Sequence, residues 1–140
     1  MSDDPIRTYL TKVGKKYGEI LALIPKLQET ETELRSKGSS LSDAYAQRII
    51  QIQTSLETIK RIGKQIEVLK VNFQALRGQI DTPLAENATL QEIEDYKNKV
   101  IQLDELTKQI KELQSGIKNQ FVIIEEALKT SEKEEGTIVK

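Results

Sequence analysis

Residues 41–80 read LSDAYAQRIIQIQTSLETIKRIGKQIEVLKVNFQALRGQI, and the spacing of apolar side chains in this stretch decides the fold. Tyr45, Ile49, Ile52, Leu56, Ile59, Ile62, Ile66, Leu69, Phe73, Leu76 and Ile80 follow one another at steps of three and four. Alternating threes and fours hold side chains on one face of a helix, and a sustained alternation is the seam of helices packed lengthwise. The step repeats a three at Ile59–Ile62, which overwinds the seam locally, and Gly63 follows at once. Glycine inside a helix costs about 1 kcal/mol against alanine, so Gly63 marks an expected close approach of a neighbour. Ile50, Val68, Val71 and Ala75 widen the apolar face beyond a two-position stripe. That width predicts at least three packed helices rather than a two-stranded coil.

Before this stretch, Asp4-Pro5 is a helix start, with a capping acid and a proline where no amide bond is lost. Ile6, Leu10, Val13, Tyr17, Ile20, Ile24, Leu27 and Leu34 then follow a heptad in which Glu31 is the polar exception. Pro25 lies inside it and is expected to kink or break the helix, because it cannot donate to the carbonyl of Leu21. Gly38-Ser39-Ser40 reads as a turn, with Gly38 the stop and Ser40 with Asp43 resembling a capping box.

After the stretch, Asp81-Thr82-Pro83 stops the helix and Thr89 with Glu92 is a capping box for the next. Its seam runs Ile93, Tyr96, Val100, Leu103, Leu106, Ile110, Leu113, Ile117, Phe121, Ile124, Leu128, again with one repeated three at Leu103–Leu106. Two such phase breaks suit helices paired as an antiparallel hairpin in which the breaks meet. The fold expected is all-α: an elongated antiparallel three-helix bundle with coiled-coil-like packing and a first helix kinked at Pro25. The helices fall at about 5–36, 41–80 and 89–131 in a single domain 1–133, followed by a flexible tail 134–140. Three long heptad helices in succession are similar to spectrin-like repeats and other lengthwise bundles. That is a likeness of pattern with no shared motif, and it does not give function.

Composition narrows the chemistry. The chain has no cysteine and no histidine. That removes disulfides, thiolate nucleophiles, the commonest general base and most transition-metal sites. No catalytic residue, metal site, cofactor or small-molecule substrate is expected. Gly14-Lys15-Lys16 lacks the upstream glycine and the following Ser or Thr of a phosphate loop. A net charge of −1 makes no general case for nucleic acid or anionic membrane. No apolar run approaches the roughly 18 residues of a transmembrane helix. Ser2, Asp3 and Asp4 are unlike the basic start of a secretory signal, so a cytoplasmic protein is expected.

Two contact regions stand out. Phe121, Val122, Ile123 and Ile124, with Leu128, are apolar all round the helix and are the candidate contact with a partner helix or a second copy. An ordinary core layer explains Phe121–Ile124 about as well. Lys12, Lys15, Lys16, Lys64 and Arg77 fall toward one end of an up-down-up bundle, and Glu125 and Glu126 toward the other. The basic end is the candidate contact for an anionic partner, with Tyr9 and Tyr17 near it as stacking rings, although core packing accounts better for Tyr17. The function expected is a structural or interaction protein, a scaffold or subunit binding partner helices or itself. The alternative is a small helical subunit of a nucleoprotein complex that touches phosphates through the basic end.

Overall fold

The computed structural model describes residues 5–139, and the side-chain surroundings of 5–130. It is all-helical, with α1 at Pro5–Ser36, α2 at Leu41–Asp81 and α3 at Leu90–Val139. Pro5 is the first residue of α1, where its missing amide hydrogen is no loss. Asp4, the expected cap, lies outside the described residues. Pro25 does not break α1, which is helical on both sides of it. α3 is helical through Val139, and so covers the 134–139 segment expected to be a tail.

Local chemistry sets the two turns. Gly38 has a φ of 71°, a left-handed conformation that glycine adopts without strain. Its N–H donates to Arg35 O at 3.0 Å and the Ser39 N–H to Leu34 O at 2.9 Å, so the last carbonyls of α1 are satisfied. Ser39, not Ser40, caps α2: its hydroxyl oxygen accepts from the Leu41 N–H at 3.2 Å, and its carbonyl accepts from the Ser42 hydroxyl at 3.0 Å. At α3 the Thr89 hydroxyl oxygen accepts from the Glu92 N–H at 3.1 Å, one half of the expected capping box.

The chain divides into two compact units. The first is Met1–Lys60 with Ile117–Lys140, the second Arg61–Gly116. In the first unit all three helices give side chains to one core. Ile6, Ile20, Ile24 and Leu34 come from α1, Tyr45, Ile49, Ile52, Leu56 and Ile59 from α2, and Ile117, Phe121, Ile124 and Ala127 from α3. This is a three-helix bundle. Each side chain sealed here contributes on the order of 1.5–3 kcal/mol relative to exposure.

The second unit is a two-helix hairpin. The Tyr96 hydroxyl donates to Ile80 O at 3.3 Å, and Ile62 stands against Gly116, where an added Cβ would meet Ile62 Cδ1 at 3.3 Å. These pairings run α2 and α3 antiparallel. They also put Ile62 well past Leu103–Leu106, so the two phase breaks do not meet. The close approach falls at the level expected, beside Gly63, but the glycine facing it is Gly116 on α3, since nothing lies within 4 Å of a Cβ at Gly63 itself. Among the described residues of this unit, Ile66 and Ile110 are the buried apolar side chains. Leu69, Phe73, Leu76, Leu103 and Leu106 are half-buried. The residues that widen the sequence pattern stay mostly in solvent, with Val68 64% and Val71 65% exposed.

Candidate helix-docking site

A groove of about 570 Å³ runs along one side of the hairpin. α2 contributes Asn72, Ala75, Leu76 and Gln79 to it, and α3 contributes Ile101, Gln102, Glu105, Leu106 and Gln109. Heptad spacing explains its composition, because residues seven apart share a helix face. On α2, Gln65, Asn72 and Gln79 form one column and Arg61, Val68 and Ala75 another. On α3, Asp95, Gln102 and Gln109 form a third. Between Arg61 and Asp95 these columns hold amides and small or apolar side chains.

The other side of the hairpin follows the same spacing with different residues. Lys70 and Arg77 are one heptad apart on α2, and Lys97, Asp104 and Lys111 are one heptad apart on α3. Asp104 bridges Lys108 at 3.5 Å there, with both side chains in solvent. Such exposed pairs add little to stability and mark a solvated face. The groove side is richer in amides and apolar groups than the other side, with Glu105 the charged residue in the groove lining. Ile101, at the groove, is 59% exposed.

The residues singled out in the sequence fall differently. Phe121 and Ile124 belong to the core of the first unit, and Ile124 is fully sealed. Val122 and Ile123 point outward, 45% and 36% exposed, and Leu128 is half-buried. A four-residue apolar run on a helix spans more than one face, and the bundle takes only one of them.

Lys12, Lys15 and Lys16 lie in the first unit, Lys64 and Arg77 in the second. Lys16 is committed. Its Nζ donates to Glu125 Oε1 at 2.7 Å and lies 4.6 Å from the centroid of the Phe121 ring. An up-down-up topology placed Lys16 and Glu125 toward opposite ends of the bundle, and here they touch. The Lys16 hydrogen bond and charge hold the Glu125 carboxyl below its ordinary range, with a smaller contribution from Lys129. Tyr9 and Tyr17 are half-buried, and desolvation pushes the Tyr9 phenol up. Glu31, the polar residue on the α1 seam, pairs with Arg35 one turn on.

Among the described residues no group of three or more Asp or Glu is placed to hold a metal ion. Nor is any helix long and apolar enough to cross a membrane. The groove is the feature that sequence reasoning missed. Its signal was present, as columns of amides seven residues apart beside columns of charges. A search for apolar seams passes over amides. No family model, curated protein or solved structure matches this chain.

Proposed function

We propose that the chain is a non-enzymatic interaction protein that binds helices, with the first unit as its folded anchor and the groove side of the second unit as the docking face. The observation that supports this reading is the half-covered seam of the second unit. Ala75, Leu76, Ile101 and Leu106 line an open groove that a third helix would close, as three helices close the first unit. Val122 and Ile123 are a second, smaller apolar contact on α3.

Binding of a neutral apolar dye to the native chain tests the docking face. Dye fluorescence should rise with wild type and fall sharply with Ala75→Glu combined with Ile101→Glu, at unchanged helical circular dichroism. No dye uptake, or uptake indifferent to the two substitutions, would remove the groove as a docking face.

A further inference from the structure

The two rims of the groove differ in charge. On α2 the rim is Gln65, Val68, Asn72, Ala75 and Gln79, all exposed and none charged. On α3 the residues that share a face with Ile101, at steps of three and four, are Glu94, Asn98, Glu105, Lys108 and Glu112, all exposed. Lys108, the one cation in that stripe, is turned to Asp104 at 3.5 Å, on the other side of the hairpin. Glu94, Glu105 and Glu112 have no ion-pair partner among the described residues. Beyond Gln79 the groove side continues into a recess of about 300 Å³, where Glu92 and Asp95 outnumber Lys99. Arg61 and Lys64 fall near the level of Gly116, past the end of the groove lining. The groove is therefore neutral along one rim and acidic along the other.

We infer that the groove takes a basic amphipathic helix of another protein, an inference that rests on the docking face proposed above. A helix laid along the hairpin as its third member puts apolar side chains over Ala75, Leu76, Ile101 and Leu106. Its edge toward α2 meets amides and Val68, where a charge finds no counter-charge. Its edge toward α3 passes Glu94, Glu105 and Glu112, which are spaced by 11 and 7 residues. Lys or Arg at the same steps lies on one face of the incoming helix and meets the three carboxylates in turn. The long stems of those side chains lie along apolar surface while their charged heads reach the acids. The same carboxylates repel phosphate, which disfavours a nucleic acid or an anionic lipid surface on this side. Exposed ion pairs contribute little each, so the apolar contact carries the affinity and the acidic stripe carries the choice of partner.

Two helical peptides of about 18 residues, long enough at ~27 Å to run from Glu94 to Glu112, test this. Both carry the same leucine seam, flanked by Lys in one peptide and by Glu in the other. Fluorescence anisotropy of each labelled peptide is followed against the full chain up to about 500 µM, at low and moderate salt. The basic peptide should bind in the micromolar range and more weakly as salt rises, and the acidic peptide at least about ten-fold more weakly. Glu94→Gln, Glu105→Gln and Glu112→Gln together should weaken binding of the basic peptide by about ten-fold, at unchanged helical circular dichroism. Glu29→Gln, Glu33→Gln and Glu57→Gln together remove the same charge from exposed positions of the first unit and should leave binding unchanged. Equal binding of the two peptides, equal loss in the two triple variants, or no binding of the basic peptide overturns the inference. So does a chain that dimerises in light scattering and loses dye uptake as it does, which makes a second copy the occupant. The dye separates the failures. A chain that takes dye without preferring the basic peptide keeps the docking face, whereas one that takes none loses both.

Discussion

From Tyr45 to Ile59 the α2 seam is sealed in the first unit, and from Leu69 to Ile80 the same seam is half-covered in the second. The apolar spacing is the same in both. The number of helices around it differs: α1, α2 and α3 share the core of the first unit, and α2 and α3 alone form the second. A heptad seam specifies which face of a helix will be buried. How deeply it is buried depends on whether a third helix arrives. α3 shows the same contrast, with Ile117, Phe121 and Ile124 buried in the first unit while Val100 stays 43% exposed in the second.

Alanine substitutions sharpen that contrast most strongly. Ile52→Ala empties a fully sealed site in the first unit and should cost about 3–4 kcal/mol in urea unfolding, whereas Leu103→Ala in the half-open seam should cost about 1 kcal/mol. Equal costs would mean that the two units are equally closed.

The next effect is pH-dependent and belongs to the first unit alone. Lys16 holds the Glu125 carboxyl below its ordinary value of 4.5, so the ionised form favours the folded chain. The stability from this pair is fully present above 4.5 and is lost as pH falls through the lower folded value. Lys16→Met keeps an apolar stem over Phe121 and removes the charge. Its difference from wild type should be larger near about pH 6 than near about pH 3, where only the cation–π contact with Phe121 remains. A constant difference would place the role of Lys16 in its contact with Phe121 rather than in the pair with Glu125. The smallest effect is expected in the second unit. Gly116→Ala gains about 1 kcal/mol of helix propensity and meets only Ile62 Cδ1, the end of a side chain that can turn. Its melting temperature should stay within a few degrees of wild type, and a large loss would show that α2 and α3 are locked there.

What was legible in the sequence was what short-range chemistry decides. The helices begin and end within a few residues of expectation at Ser36, Leu41, Asp81 and Leu90, because Gly38, Pro83 and Thr89 act on the backbone beside them. The seams are right in face. The depth of burial was not legible, since Ile52 and Leu103 occupy equivalent seam positions and only the count of neighbours separates them. The division of Phe121 and Ile124 from Val122 and Ile123 has the same origin. Nor was the Lys16–Glu125 contact, because it depends on how α1 lies against α3. The groove was half-legible, in amide columns that a search for apolar periodicity does not weigh.

Residue-resolved hydrogen exchange along α2 tests most directly that a third helix closes one unit and that its absence leaves the other open. Protection of the amides from Tyr45 to Ile59 should approach that of global unfolding, and protection from Leu69 to Ile80 should be lower by orders of magnitude. Uniform protection from one end of α2 to the other would contradict it.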